Sequence, residues 1–478
     1  MFLEKMFVNL GINSNVKMHR RLFLKRAISS FPMAVIPPFI GSPFFFGNTR
    51  PAQIGKSVVV VGAGVAGLAS ARELSRLGFS VTVLEAQSTV GGRLRTNRSL
   101  GLAFDEGASW IHGSTGNPIT SLARESGVET IPADDESVIL YNVNGTVYQD
   151  GVRRKAERQY IRALRAVKKN GAPSKSFQEV FNQLYPDRIE DRHWKFMLSA
   201  FLEFDTGADL SDLSSIDFYD DDEFPGSDLF ITNGYDRIAT YLADGLDIRL
   251  NTTVSGIDYT GAKVKVQAGG ASKEADFVVV AVPLGVLKKG ILRFKPELPT
   301  GSANAIAGLG MGIVNKFMLV WNKPFWDTKV QFIGYTPETK GHFNLFLNTR
   351  YFSSVNGLVS FAFGDFAAAS EHLSDSAVVD GIMDHLRNIY GSSIPYPQDM
   401  VRTKWAGNTN SFGAYSYAKK GISSDAFDTL AGSVAERVFF AGEHTSKAFR
   451  GTVHGAYLSG IREAAKIISL AGSRKAGN

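Results

Sequence analysis

The sequence predicts an α/β fold spread over two or three domains, and three observations carry that reading. The chain has 478 residues, 44% of them hydrophobic, which is enough to bury a large core and too long for one ordinary domain. A β-branched run, Ser57-Val58-Val59-Val60-Val61, passes through three spaced glycines into a stretch of helical repeat. A second such run, Val81-Thr82-Val83-Leu84, follows and stops at an acid, Glu85. Strand, helix and strand in that order begin a parallel sheet.

Each element has its own signal. The valines of the first run suit a strand buried on both faces. Leu68, Ala71, Leu74 and Leu77 recur at helical spacing, and Gly78 supplies the stop. Between strand and helix lies Gly62-Ala63-Gly64-Val65-Ala66-Gly67, the G-x-G-x-x-G pattern of a Rossmann-like dinucleotide site. Gly62 permits the tight turn, Gly64 lets a pyrophosphate approach the backbone, and Gly67 lets helix and strand pack closely. The helix N-terminus offers unpaired N–H groups and a positive dipole end to the phosphates. Glu85 is placed to accept both hydroxyls of an adenosine ribose.

A second glycine pair, Gly91-Gly92-Arg93-Leu94-Arg95-Thr96, follows closely. Simple nicotinamide dehydrogenases lack it, and its arginines can add a cationic contact to the pyrophosphate, which turns the expectation from NAD to FAD. Here the chain resembles the flavin-dependent amine oxidases, the family of monoamine oxidases, polyamine oxidases and lysine-specific histone demethylases. Further motifs in family order carry the resemblance from residue 57 to about 470. They are Asp105-Glu106-Gly107-Ala108-Ser109-Trp110-Ile111-His112-Gly113, Asn233-Gly234-Tyr235, Val278 to Leu287, Met311 to Lys316, Gly413-Ala414-Tyr415-Ser416-Tyr417, Val438 to Ser446 and Gly451 to Tyr457. The Trp-Ile-His-Gly form is closest to the polyamine and spermine oxidases.

The resemblance implies a FAD-binding Rossmann-like domain interleaved with an α+β substrate-binding domain. The FAD domain would come from 55–115, 233–300 and 405–470, and the substrate domain from 116–232 and 301–404. It implies that Gly62, Gly64, Gly67, Glu85, Gly92, Arg93, Trp110, Val254, Trp405, Glu443, Thr452 and Val453 bind the cofactor, with Val254 at the adenine and Trp405 stacking on the flavin. Lys316 would hold a water near flavin N5, His112 would touch substrate or water, and Tyr415 would seat the substrate. Thr452, where monoamine oxidases carry a tyrosine, would start an apolar helix (Val453, Ala456, Leu458, Ile461, Ala465, Ile468) and serve as its N-cap. The implied reaction is oxidation of the carbon beside an amine nitrogen, with molecular oxygen as acceptor and hydrogen peroxide as product. The expected substrate is a small-molecule amine, preferably a polyamine. Other flavin oxidoreductases, such as an amino acid oxidase or a desaturase, share the cofactor fold, and a flavin-bearing interaction scaffold is a more distant reading.

Two features bear on the substrate. Asn408-Thr409-Asn410 stands where the family often has Asp-Pro-aromatic, which removes one aromatic from the pocket edge. Asp220-Asp221-Asp222-Glu223 is an acidic run expected to steer a cation and, with the His112 segment, to hold a second ammonium.

Composition narrows the rest. There is no cysteine, so disulfides, thiolate metal sites and a flavin tethered through cysteine sulfur are excluded; FAD is expected to be non-covalent. No close histidine–carboxylate spacing marks a metal site. The net charge is +6, but the basic residues read as scattered, with no arginine- or lysine-rich run after the first thirty residues, so nucleic acid binding is not expected. Residues 1–50 read as a leader: Arg20-Arg21-Leu22-Phe23-Leu24-Lys25 precedes an uncharged stretch from Ala27 to Phe46, resembling a bacterial twin-arginine signal. Pro32, Pro37, Pro38 and Pro43 argue against a stable membrane span there. Export to the periplasm or envelope is the expected localisation, with the cytoplasm as the alternative.

Overall fold

The computed structural model describes residues 55–134 and 136–473. The expected leader therefore lies outside the described residues. The central element is a five-stranded parallel sheet, made from β1 (Ser57–Val61), β2 (Ser80–Leu84), β3 (Ile248–Arg249), β4 (Phe277–Val280) and β5 (Val438–Phe440), in the order β5-β4-β1-β2-β3. β1 sits in the middle because its valines are buried on both faces. Val58 pairs with Val81 on one side and Phe277 on the other, so three separated chain segments meet there.

Helix α1 (Val65–Arg76) buries Leu68, Ala71 and Leu74 against the sheet, and Gly78 follows it in the left-handed region at φ +86°. The C-terminal helix α2 (Val453–Ser473) lies across α1. A Cβ on Gly460 would stand 2.2 Å from the Ala66 carbonyl, so only a glycine permits this crossing. Its core-facing residues include Ala464 and Ile467, whereas Ala465, expected inside, faces solvent; the sequence periodicity is one position out over the last turns.

The second large unit is a six-stranded sheet with the order 399–402, 314–320, 357–363, 342–348, 332–335, 138–141. All neighbours are antiparallel except the last pair. The helices Asp150–Asn170, Phe177–Leu184 and Arg192–Met197 share a hydrophobic core with it. The last of these runs into a π-helical turn, Leu198–Glu203, and then Phe204–Thr206. Such turns displace side chains from the α-helical register and cluster at functional sites. Two small sheets join the units: Trp110–Ile111 and Thr130–Pro132 flank Leu229–Ile231, and Gly310–Gly312 pairs with Tyr415–Tyr417.

One expectation from the sequence fails here. The helix Asp150–Asn170 carries Arg153, Arg154, Lys155, Arg158, Arg162, Arg165, Lys168 and Lys169. Arg153-Arg154-Lys155 and Lys168-Lys169 adjoin along the chain and the other cations recur every third or fourth residue, so the basic residues are concentrated here, and the helix brings most of them onto one face. Among the described residues, no helix is long and apolar enough to cross a membrane and no group of three or more metal-ligating side chains occurs.

Candidate active site

A cavity of about 390 Å³ runs between the two units. One end is built from the N-terminal fingerprint. Gly62 adopts φ +103°, and a Cβ there would stand 2.9 Å from the Ala281 carbonyl. A Cβ on Gly67 would stand 2.0 Å from the Gly62 carbonyl, so this glycine serves helix–strand packing. Gly64 differs: it caps α1 in extended conformation, and nothing lies within 4 Å of where its Cβ would be. The helix N-terminus therefore opens onto bare space, as a pyrophosphate requires. Gly91 and Gly92, both at positive φ, close the same cradle, with Gly91 N–H donating to the Ala63 carbonyl at 2.9 Å.

Glu85 lines this end and is buried; its carboxylate accepts from Ala63 N–H (2.6 Å) and Gln87 N–H (2.9 Å). Each oxygen keeps further acceptor capacity for a ribose hydroxyl. Thr252, Thr253 and Val254 form the neighbouring wall. A cradle that a Cβ at Gly64 would fill, an acid at the end of β2 and apolar walls together fit the dinucleotide half of FAD.

The C-terminal fingerprint forms the middle. Past β5, Glu443 is buried and accepts from Arg93 Nη1 (2.8 Å), Gly451 N–H (2.9 Å) and Ser416. Burial alone would raise its pKa; the Arg93 guanidinium and the Ser416 hydrogen bond outweigh that and hold it below the ordinary glutamate range. Arg93 also donates to the Ala414 carbonyl at 2.8 Å, so it ties the second glycine pair to the Tyr415 segment as well as lining the cavity. Thr452 is the N-cap of α2: its Oγ1 accepts from Gly455 N–H at 2.9 Å and donates to the Phe449 carbonyl. Thr452 and Val453 both line the cavity. His444 is fully buried, and burial lowers its pKa to about 4, so it is neutral.

The far end is an aromatic chamber. Lys316 is the third residue of the strand Val314–Val320. Its Nζ donates to the Asp105 carbonyl (2.8 Å), the Gly107 carbonyl (2.6 Å) and Ser109 Oγ (2.6 Å), and stands 5.6 Å from the Trp110 ring centre. Burial lowers its pKa to about 8, with Asp105 and Glu106 opposing. Asp105 is in turn raised to about 6 by its own burial. Trp405 is buried, with its indole N–H donating to the Glu106 carbonyl at 3.1 Å. Tyr415 lines the wall and its hydroxyl donates to the Phe204 carbonyl, at the end of the π-helical segment. Thr409 and Asn410 also reach the cavity, at the edge from which the sequence indicated a missing aromatic.

Sequence reasoning missed several wall residues. His112 Nδ1 lies 2.7 Å from Asp228 Oδ2, and the other oxygen of Asp228 accepts from Gly113 N–H at 2.7 Å. Asp205 lines the same chamber and accepts from the Tyr219 hydroxyl at 2.6 Å. Ser109 is the side-chain partner of Lys316. The acidic run behaves otherwise than expected. Asp220 and Asp221 pair with the buried guanidinium of Arg450, Asp220 also accepts from Ser424, and none of Asp220, Asp221, Asp222 or Glu223 lines the large cavity. A carboxylate paired with a buried guanidinium serves the fold and is not placed to receive a substrate cation in that cavity.

Comparison with known proteins agrees with this geometry. The family model described as flavin containing amine oxidoreductase matches residues 65–468. Protein FLOWERING LOCUS D of Arabidopsis thaliana is 35% identical over 453 residues, covering 89% of this chain and 57% of its own length. Lysine-specific histone demethylase 2 of Homo sapiens is 33% identical over 442 residues, covering 87% and 54%. The chain thus spans little more than half the length of these relatives. A solved structure of putrescine oxidase bound to putrescine has the same fold, with a TM-score of 0.71 at 22% identity, covering 87% of this chain and 99% of the other. The chain belongs to the flavin containing amine oxidoreductase family, and its cofactor is FAD.

Proposed function

We propose that the protein oxidises an extended basic amine of the polyamine type, with molecular oxygen as acceptor and hydrogen peroxide as product. The observation that carries this is the presence of two carboxylates, Asp205 and Asp228, on the walls of the aromatic chamber that continues from the cofactor cradle. They take over the ammonium-holding role that the sequence assigned to the Asp220 run. Two acids suit a substrate with more than one positive charge, and Thr452 in place of an aromatic leaves room for a longer chain. Putrescine, the ligand named for the neighbouring structure, is itself a diamine.

FAD, when bound, accepts a hydride equivalent from the carbon beside the amine nitrogen. The overall balance is amine, oxygen and water giving aldehyde, a smaller amine and hydrogen peroxide. The chain's own residues bind, orient and manage protons. Tyr415 and Trp405 supply apolar faces. His112, tied through Nδ1 to Asp228, keeps Nε2 as its remaining hydrogen-bonding atom. Lys316 is the proton-exchanging group of the chamber. Its three acceptors use all three N–H bonds of an ammonium, so loss of a proton gives up one of them. The N-terminus of α2 lies at the cavity wall, with Thr452 and Val453 lining it, and its dipole favours negative charge there.

A second reading, an N-methylated lysine side chain as substrate, is favoured by the histone demethylase relatives. Steady-state kcat/KM for spermine, spermidine, putrescine, benzylamine, phenylethylamine and a dimethyl-lysine peptide separates the two. Preference for either aromatic monoamine refutes the polyamine reading, and preference for the peptide installs the second one. Three further expectations belong to the same proposal. FAD is held without a covalent bond, tested by its release in acid. The cofactor domain is assembled from 55–115, 233–300 and 405–470 around a substrate domain of 116–232 and 301–404, tested by limited proteolysis of the holoenzyme. Export depends on Arg20-Arg21, tested by replacing both with lysine and following localisation.

A further inference from the structure

We infer that the helix Asp150–Asn170 is a docking surface for anionic membrane lipid. Arg154, Lys155, Arg158, Arg162, Arg165 and Lys169 are all exposed on it. At 100° per residue these six fall within an arc of about 100°, opposite the face that buries Tyr160, Ala163, Leu164 and Val167. From Arg154 to Lys169 the stripe extends for roughly 22 Å. The acids of this helix, Asp150 and Glu157, stand off the stripe, beside Arg153, with which they pair. Arg154 with Arg158, Arg158 with Arg162, and Arg165 with Lys169 are like charges four residues apart, and Arg162 with Arg165 are three apart. Each such pair destabilises an isolated helix. The pattern therefore works against local stability and is relieved by a polyanion laid along it.

The neighbouring surface selects the kind of polyanion. The turn leading into the helix exposes Val143 (43%) and Val147 (54%), and the first helical turn exposes Val152 (48%). Apolar side chains beside a cationic stripe suit the boundary between headgroups and acyl chains. A phosphodiester backbone has no use for them. The stripe is straight and lies on the outer face of one helix, which matches a flat anionic surface better than a curved groove. The same helix also carries Arg153 and Glu157, which line the catalytic cavity from its inward side, so the stripe faces away from that cavity.

The test is co-sedimentation of the FAD-loaded full-length protein with vesicles of phosphatidylcholine alone and with about 30% phosphatidylserine, at low and high salt. The triple variant Arg154→Glu, Arg158→Glu, Arg162→Glu is compared with Lys263→Glu, Arg293→Glu, Lys323→Glu, an equal charge reversal at exposed positions elsewhere. Every protein in the test has the same first 54 residues, so differences between them report on the helix. Binding should require phosphatidylserine, weaken with salt, and fall at least about tenfold in the helix variant, since each cation near an anionic surface contributes about fivefold in partition. The control should stay within about twofold of the parent. A milder variant, Arg158→Gln with Arg162→Gln, guards against misfolding and should lose binding in the same direction while keeping FAD absorbance. Lipid-independent binding, equal loss in helix variant and control, or tighter binding to a DNA duplex than to the anionic vesicles would each overturn the inference.

Discussion

Replacing Gly64 and Gly67 with alanine, one at a time, should give opposite signatures. In Gly67→Ala the new Cβ lies 2.0 Å from the Gly62 carbonyl oxygen and 3.2 Å from Ala281 Cβ. A carbonyl oxygen cannot rotate away, so α1 must move off the sheet by more than an ångström. Overpacking of this kind costs about 1–3 kcal/mol, and a backbone clash belongs at the upper end. Gly64 has φ −74° and ψ 174°, which any residue adopts, and its Cβ meets nothing within 4 Å. Alanine there should leave the apoprotein as stable or raise its stability by about 0.4–1 kcal/mol, through the unfolded chain. The added methyl instead occupies the space through which the pyrophosphate reaches the helix N-terminus. A steric cost of about 1–3 kcal/mol on the complex corresponds to about 5- to 140-fold in Kd. Thermal unfolding of the apoproteins and titration of flavin fluorescence quenching measure the two effects separately. Gly64→Ala binding FAD within twofold of the parent, with an unchanged melting curve, would refute the assignment of that open space to the cofactor.

Three other outcomes are expected. Lys316→Met should retain FAD but slow turnover. The parent's rate should rise with pH through about 8, as the neutral lysine forms, and the variant should lose that inflection. Because the lysine pKa is lowered on folding, the unfolded chain binds more protons between about 8 and 10.4, so stability should rise with pH across that window in the parent and not through this group in the variant. Asp205→Asn and Asp228→Asn should each raise KM for spermine more than for benzylamine, by about tenfold or more, seen in paired steady-state assays; equal effects on both amines would remove the acids from ammonium binding. Glu443→Ala leaves Arg93 facing an empty buried site and should destabilise the protein by about 3 kcal/mol in denaturant titrations. The parent's contribution from Glu443 should be complete at neutral pH and fade as pH falls through its depressed pKa.

What was legible in the sequence is what local order encodes. β1, the glycine turn, α1 with its Gly78 stop, and β2 ending at Glu85 lie within thirty residues, and each has its own periodicity or turn signal. Thr452 as an N-cap was legible for the same reason. The His112–Asp228 pair was not, because 116 residues separate its members and the two strands that align them, Trp110–Ile111 and Leu229–Ile231, are only two and three residues long. Asp205 was hidden at the end of a π-helical turn, which follows no simple period. The acidic run misled because its neutralising partner, Arg450, sits about 230 residues away. The cationic stripe is only partly visible along the chain, as Arg153-Arg154-Lys155; its extension through Arg158, Arg162, Arg165 and Lys169 becomes one surface only when the helix forms.

The strand order of the parallel sheet also sets a timetable for synthesis. β1 and β2 leave the ribosome early, but the other neighbour of β1 is β4, and β4 is flanked in turn by β5, about 380 residues downstream of β1. At roughly 5–20 residues per second, the valine-rich edge of β1 waits tens of seconds for β4, and β4 waits again for β5. Glu443, Thr452 and Val453 emerge later still. The FAD site therefore does not exist on a nascent chain, and cofactor loading is an event of the finished polypeptide. Until then the early strands present an open apolar edge, and any truncation before residue 453 yields a chain with half a cradle.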